Sequence, residues 1–174
     1  LTSLSQSIEN GSKWAGDYIN RGIIFYRRHN YRSALADYDK AVTLSPNDAQ
    51  CYYNRGVLRQ ELGDYNRALD DLTQAINLSP DQIEIYYQRG IVQLQLRQWE
   101  DAISDFQTIM QRYPYFLPAY YLAAQAHTSL GNGETAFQLR QQAYDLEQKK
   151  DSIQAQALVT NMQIAESQPQ KRDR

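Results

Sequence analysis

The sequence has few of the residues from which metal, redox and nucleophilic sites are built. Its 174 residues include one cysteine, Cys51, and two histidines, His29 and His127. A lone cysteine cannot form an intramolecular disulfide, and we interpret it as a small buried hydrophobe. The histidines do not stand in a metal-ligand spacing such as His-Glu-x-x-His, and no glycine-rich phosphate loop is present. The sequence therefore predicts a protein that is not an enzyme and that binds neither a cofactor nor a metal ion.

The sequence also lacks a strong charge of either sign and a long apolar run. Its formal net charge is -2, whereas binding to nucleic acid requires clustered lysine and arginine in excess. No apolar stretch approaches the roughly 20 residues that a membrane-spanning helix needs. We therefore expect no nucleic-acid partner and no membrane insertion of this segment. The sequence starts at Leu1 and leaves open whether the chain is trimmed, processed or part of a longer protein; it does not indicate a compartment.

What the sequence does have is a period of 34 residues. Prolines stand one period apart at Pro46, Pro80 and Pro114. The same interval separates Arg21, Arg55 and Arg89, then Gly22, Gly56 and Gly90, and also Ala34, Ala68, Ala102 and Ala136. A fixed period of this length indicates stacked supersecondary units. It divides the chain into units 15–48, 49–82, 83–116 and 117–150.

Each unit is predicted to form two short helices. The small residue at the eighth position lets the two helices approach closely, and aromatic residues fill the space between them. Polar side chains stand at the break between the helices, where they can cap the second helix. These polar residues are Asn30, Asp64, Gln98 and Asn132. Proline ends each of the first three units because it lacks the N–H group that a continuing helix would need.

This pattern resembles the tetratricopeptide repeat family, over residues 15–150. The resemblance rests on the period, the aromatic residues Tyr31, Tyr65 and Trp99, the alanine series and the terminal prolines. It implies an all-α, right-handed α-solenoid of four helix-turn-helix repeats with a C-terminal capping helix. It also implies a scaffold that binds other proteins. The Asn-Arg-Gly and Asp-Tyr-x-x-Ala motifs, with an aromatic turn, resemble bacterial members. The RNA-reading helical repeats differ in period and in surface charge.

The segments outside the four units are predicted to be less regular. Residues 1–14 are rich in Ser, Asn and Gly and are predicted to form an N-terminal arm, with Trp14 folding back onto the first helix. Apolar residues at helical spacing predict a capping helix over residues 151–167, which would cover the apolar face of the last unit. Residues 168–174 are polar and are predicted to be a disordered tail.

Two charged positions are present together and absent together. The first three units carry Arg21, Arg55 and Arg89 at the seventh position and Asp37, Asp71 and Asp105 at the twenty-third. The fourth unit has Ala123 and Leu139 there. We therefore predict structural ion pairs between partly shielded side chains, in which a carboxylate satisfies the forked guanidinium group. The alternative is that these arginines bind a ligand.

In this fold the first helix of each unit lines the concave face, so function is expected there. The predicted groove residues are Ile19, Ile23, Tyr26, Tyr53, Asn54, Val57, Tyr87, Gln88, Ile91, Tyr121 and Gln125. Tyrosine combines a large apolar area with a polar tip, as binding hot spots require. The groove is predicted to bind a peptide or helix of another protein. Two alternatives stay open: the tyrosines only pack between helices, or the protein is a structural homo-oligomer that assembles through its end faces or through grooves filled by its own neighbour.

The same face argues against one branch of the family. Chaperone adaptors that grip the Glu-Glu-Val-Asp tails of heat-shock proteins share a cluster of Lys, Asn and Arg on this face. The corresponding positions here are Ile19, Ile23, Asn54, Glu84 and Gln88, of which only Asn54 matches. Carboxylate-clamp binding of a chaperone is therefore not expected.

The turn between the third and fourth units departs from its counterparts. Residues 112–118 replace polar turn residues with Tyr113, Tyr115 and Phe116. Such a turn is either a local plug of the core, which we favour, or an exposed contact patch.

Overall fold

The computed structural model describes Ile8 and residues 11–149. Residues 11–149 form eight helices and no strand, which confirms the predicted all-α class. The helices are α1 Ala15–Arg27, α2 Tyr31–Leu44, α3 Ala49–Glu61, α4 Tyr65–Leu78, α5 Ile83–Gln95, α6 Trp99–Arg112, α7 Leu117–Ser129 and α8, which is described over residues 133–149. The predicted capping helix 151–167, the tail 168–174 and most of the arm 1–14 lie outside the described residues.

The pattern of helix contacts produces a curved stack. In the first three units the first helix packs on the second helix of its own unit, and the second helix packs on the first helix of the next unit. The first helices α1, α3, α5 and α7 also contact one another in sequence, whereas α2, α4 and α6 make no such contact within the described chain. Because the first helices lie closer together, their side of the stack is concave. The fold is thus an α-solenoid whose first helices line a groove.

Close packing between the paired helices explains the repeated glycine. A Cβ atom at Gly90 would lie 2.7 Å from Cε1 of Phe106, and one at Gly22 would lie 2.5 Å from Cε1 of Tyr38. Both aromatic rings are buried. The fourth unit tolerates Ala124 at this position. Its facing residue is Arg140, which extends to donate to Oγ1 of Thr128 at 3.2 Å.

The break between the paired helices requires left-handed backbone at the fifteenth position of each unit. Gly63 and Gly131 adopt φ values of 77° and 80°, which glycine allows without cost. The other two units place His29 and Arg97 there, with φ values of 58° and 59°. A side chain in this region costs roughly 1–2 kcal/mol. Two of the four turns therefore carry backbone strain that a glycine would relieve.

The predictions for helix capping were only partly right. Asn30 caps α2, since its Oδ1 accepts from the backbone N–H of Ser33 at 3.2 Å. Asp64 and Gln98 make no such bond in the described structure, so the prediction for them is wrong. The carboxylate of Asp64 instead faces Arg67 at 3.4 Å, and glutamine is a weak capping residue. Asp48 caps α3 without having been predicted to do so: its Oδ1 accepts from the backbone N–H of Gln50 at 2.9 Å.

The prediction for Trp14 is wrong. Its side chain is 78% exposed at the N-terminal boundary of α1. Ile8 instead packs, with Ile23, Val42 and Leu44, against a core cluster formed by Ala15, Tyr18, Ile19, Ala41 and Cys51.

Candidate protein-interaction groove

The structure brings together each arginine and aspartate of the three predicted pairs. Each arginine uses Nε and one terminal nitrogen to hold both oxygens of its aspartate. These bonds measure 2.8 and 2.7 Å for Arg21–Asp37, 3.0 and 2.7 Å for Arg55–Asp71, and 2.8 and 2.7 Å for Arg89–Asp105. The bidentate geometry fixes the rotation of the first helix against the second helix of its unit.

The same arginines reach across the boundary between units. Arg55 donates through its other terminal nitrogen to Asp39 at 2.9 Å, and Arg89 approaches Thr73 Oγ1 at 3.5 Å. Asp39 and Thr73 are one period apart, so the period could have revealed this acceptor position. Arg59 was also missed: it donates to Asp71 at 2.7 Å, and its position is not repeated as arginine. Asp71 therefore joins two guanidinium groups.

Burial of the aspartates and stacking of the arginines hold these ion pairs in place. Asp37, Asp71 and Asp105 are only 3–4% exposed. Each arginine also lies over a tyrosine of its own helix at 5.7–5.9 Å from the ring centroid, namely Tyr18, Tyr52 or Tyr86. The hydrogen bonds that Arg89 donates to Asp105 hold the pKa of Arg89 above its ordinary value, so this guanidinium group stays charged. Protein acceptors and rings surround these arginines, which favours their interpretation as structural.

The predicted groove residues line two cavities on the concave face. The first cavity, about 260 Å³, lies between α1 and α3. Its predicted members are Ile23, Tyr26, Tyr53, Asn54 and Val57. The second cavity, about 470 Å³, lies between α5 and α7. Its predicted members are Tyr87, Ile91 and Gln125, joined by Leu94, Trp99 and Leu122. Both volumes are large enough for an apolar side chain of a ligand.

The remaining predicted groove residues lie outside these cavities. Gln88 lies on α5, and its side chain acts on the hydroxyl of Tyr53 on α3. Burial and the charge of Glu84 raise the pKa of Tyr53, so its hydroxyl stays protonated. Tyr121 is 44% exposed on α7. Ile19 is 7% exposed and belongs to a core cluster with Cys51, so it contributes packing and little accessible surface.

Each cavity also has one charged residue that was not among the predicted groove residues. Arg27 lines the first cavity and Arg97 lines the second. We call them the rim arginines. Arg27 follows Tyr26 on the groove side of α1, and this helical register could have identified it. Arg97 belongs to the turn after α5, and its place at the cavity depends on the left-handed backbone, which the sequence does not indicate for arginine.

In the aromatic turn one aromatic side chain packs inside the protein and the other two are exposed. Phe116 packs edge to face against Tyr87, with ring centroids 5.4 Å apart and planes at 88°. It is a local plug, as expected. Tyr113 and Tyr115 are 50% and 58% exposed, so the core interpretation is wrong for these two. They flank a cavity of about 350 Å³ beside Arg112. Arg112 itself is held by the carbonyl of Pro80 at 2.8 Å.

Cys51 and the two histidines do not form a common site among the described residues. Burial raises the pKa of the Cys51 thiol to about 11, so the thiol stays protonated at neutral pH. His29 is exposed in its turn, and His127 is partly buried on α7. Within residues 11–149, no group of three or more His, Cys, Asp or Glu side chains could hold a metal ion.

Comparison with protein families agrees with this geometry. Two models described as tetratricopeptide repeat match the chain, one over residues 22–83 and the other over 53–115 and 87–151. The matches span most of the sequence, and the chain belongs to the tetratricopeptide repeat family. It is accordingly a protein-interaction scaffold in the general sense. Among the described helices, none has both the length and the apolar character needed to cross a bilayer.

Solved structures share the fold. The chain is similar to "Crystal structure of MamA", with a TM-score of 0.81 and 21% identity over 86% of this chain and 87% of that one. It is also similar to MamA 41-end from Desulfovibrio magneticus RS-1, with a TM-score of 0.73 and 25% identity over 91% of this chain and 98% of that one. These relatives agree with the predicted bacterial character. Comparison with curated proteins finds no match.

Proposed function

We propose that this protein is a non-enzymatic scaffold whose concave groove binds a peptide or helix of a partner protein. The observation that carries the proposal is the pair of cavities between neighbouring first helices, an apolar one between α1 and α3 and a more polar one between α5 and α7, which most of the predicted groove residues line. A ligand side chain placed in such a cavity loses its contact with water, and this burial is the main source of binding free energy.

Two contrasts support the groove over other surfaces. The paired arginines are engaged by buried aspartates, so the strong charges between the helices are already satisfied. The Cys51 thiol is buried and protonated. The groove instead presents partly exposed tyrosines, aliphatic side chains and amides, which can bury apolar anchors and bond to a ligand backbone.

The test is selection of binding peptides from a random library, followed by measurement of their affinity for groove variants. Val57 lines the first cavity and Ile91 the second, and both lie outside the core clusters found among the described residues. The double variant Val57→Ser, Ile91→Ser should weaken the selected peptides about tenfold or more. Tyr113→Ser, Tyr115→Ser is the matched control on the aromatic turn. If only the control variant loses binding, the turn is the site and the proposal is wrong.

A second candidate is self-association through the C-terminal end face. Phe137 and Tyr144 on α8 are 66% and 53% exposed. Their counterparts in the third unit, Ile103 and Met110, pack into a core cluster that includes residues of the next unit. Exposed aromatic side chains at a position that is usually buried favour a contact with another chain. Measurement of the mass in solution across concentration, with Phe137→Ser, Tyr144→Ser as the variant, distinguishes a homo-oligomer from a monomer.

A further inference from the structure

The exposed aromatic side chains outside the aromatic turn belong, among the described residues, to the two ends of the stack. Trp14 directly precedes α1, Tyr121 lies on α7, and Phe137 and Tyr144 lie on α8. Exposed aromatic side chains that are concentrated at particular places favour contacts with other molecules there. The junctions at which one unit packs on the next inside the chain show what each end could contact.

Two sets of contacts hold the fourth unit on the third. Phe116, the residue before α7, packs its ring edge to face on Tyr87 of α5, with the centroids 5.4 Å apart. On the second helix of the third unit, Ile103 and Met110 pack in one core cluster with Ala119 of α7. The third unit therefore meets its successor through the fifth position of its first helix and through the twenty-first and twenty-eighth positions of the unit.

The C-terminal end of the stack carries the same half of a junction. The three positions through which the third unit meets its successor recur one period later as Tyr121, Phe137 and Tyr144. Their side chains are exposed, whereas the counterparts in the third unit are buried or partly buried. The fourth unit therefore presents to solvent the side chains with which a preceding unit contacts its successor.

The N-terminal end carries the complementary half. Trp14 stands three periods before Phe116, at the same place before a first helix. Ile24, at the tenth position of the first unit, is only partly buried. The tenth position of the other units holds Leu58, Val92 and Ala126, which are fully buried in clusters with the second helix of the preceding unit. The first unit therefore presents the side chains with which a successor packs on the unit before it.

Trp14 does not act within the fold as its counterparts do. Asp48 stands at this position in the second unit and caps α3. Among the described residues, the side chain of Trp14 neither caps α1 nor belongs to a core cluster, and polar residues are preferred at this position. Tryptophan is enriched in the binding hot spots of protein interfaces. An exposed tryptophan here is therefore better suited to a contact between chains than to the fold of one chain.

One position at the N-terminal end is polar. Asp17 stands at the third position, where the other units bury Cys51, Ile85 and Ala119. Its carboxylate accepts a hydrogen bond from the hydroxyl of Ser12 at 2.6 Å. Burial of a charged group costs free energy even when it is hydrogen-bonded. A contact made through this end should therefore be reversible and dependent on concentration.

We infer that copies of this protein stack head to tail, with the first unit of one copy on the fourth unit of the next. Trp14 then packs on Tyr121 of the neighbouring copy as Phe116 packs on Tyr87, and Ile24 packs on the α8 of that copy. The inference rests on the self-association proposed above and names the surface that meets the C-terminal end face. Because the contact joins two different surfaces, every assembly keeps one of each free, and association continues beyond a dimer.

The experiment measures the mass of the full chain by sedimentation velocity from micromolar to millimolar concentration. The N-terminal variant is Trp14→Ser, in which serine can cap α1, and the C-terminal variant is Phe137→Ser, Tyr144→Ser. A further sample mixes the two variants in equal amounts, because each keeps the end surface that the other has lost. Tyr115→Ser is the matched control, since Tyr115 is an exposed aromatic residue that belongs to neither end. Circular dichroism checks that all variants are folded.

The expected result is a mass that rises past that of a dimer for the unchanged chain and for the control. Each end variant alone should associate about tenfold more weakly or less. The mixture should form a one-to-one dimer with the affinity of the unchanged chain and should grow no further. Recovery by mixing is specific to a contact between two different surfaces.

Three outcomes would overturn the inference. Association that stops at a dimer and survives Trp14→Ser would mean that the C-terminal end face pairs with itself, so the proposed self-association would stand and only the head-to-tail contact would fail. A mixture that does not dimerise would also exclude this contact. Monomers at every concentration, the result expected if residues 150–174 of the same chain cover the end face, would overturn both. The variants change no residue that lines either groove cavity, so the groove proposal is tested separately.

Discussion

Arginine and tyrosine occur both between the paired helices and along the concave groove, but their surroundings differ. Between the helices, Arg55 lies over Tyr52 and bonds to Asp71 and Asp39. In the groove, Arg27 and Arg97 have no such partner among the described residues, and Tyr53 and Tyr87 line accessible cavities. The comparison teaches that residue type alone does not distinguish a side chain that holds the helices together from one that is available to a ligand. What distinguishes the two groups is whether the side chain already has hydrogen-bond partners within the protein.

The largest expected effect is on the helix interface. Replacing Asp71 with Asn should lower the free energy of unfolding by about 3 kcal/mol, because Arg55 and Arg59 would both lose a buried charged acceptor. Asp39→Asn is the control on the same arginine. Asp39 is 50% exposed, so its loss should cost no more than about 1 kcal/mol. Urea denaturation measures both, and equal losses would contradict the distinction between buried and exposed partners.

The next effect tests the close approach of the paired helices. Gly90→Ala should cost about 1–3 kcal/mol, since the added Cβ would meet the buried ring of Phe106 at 2.7 Å. Gly16→Ala in α1 is the control, because no described atom outside its own helical turn lies within 4 Å of the place that an added Cβ would take. That change should be neutral or stabilising. Thermal melts compare the two, and a stable Gly90→Ala variant would show that the helices can separate freely.

A smaller effect of opposite sign is expected at the strained turns. Arg97→Gly should raise the free energy of unfolding by about 1 kcal/mol because it relieves the left-handed backbone. His29→Gly should do the same, and only Arg97→Gly should also change the affinity of a selected peptide, since Arg97 lines a cavity. Chemical denaturation and peptide titration are the measurements. A destabilised Arg97→Gly variant would mean that the arginine side chain contributes to the fold.

The smallest effect on stability is expected in the groove. Val57→Ser, Ile91→Ser should shift the unfolding free energy by about 1 kcal/mol or less per site, because both side chains are already partly in water. The same variant should lose about 1–2 kcal/mol of binding free energy per anchor. Calorimetry on selected peptides measures the binding change. A large stability loss without a binding loss would place these residues with the core and not with the groove.

The sequence predicted what recurs with the period. The paired helices, the glycine positions and the arginine and aspartate partners all repeat, so counting residues was enough to find them. Arg59 does not repeat, and its bond to Asp71 depends on helix rotation. Asp64 does not cap its helix as predicted because its carboxylate has a competing partner in Arg67. The exposure of Tyr113 and Tyr115 depends on how one turn folds, and period and composition do not determine that. The cavities were predicted only as a face, since their positions depend on how the first helices pack against one another.

The central claim is that ligand contacts concentrate on the first helices, and hydrogen–deuterium exchange tests it most directly. Exchange is measured for the full chain alone and with a saturating selected peptide. We predict added protection in α1, α3, α5 and α7 on the groove side, with no change at residues 113–115 or in the described part of α8. Protection confined to the aromatic turn or to residues 133–149, with the first helices unchanged, would contradict the account.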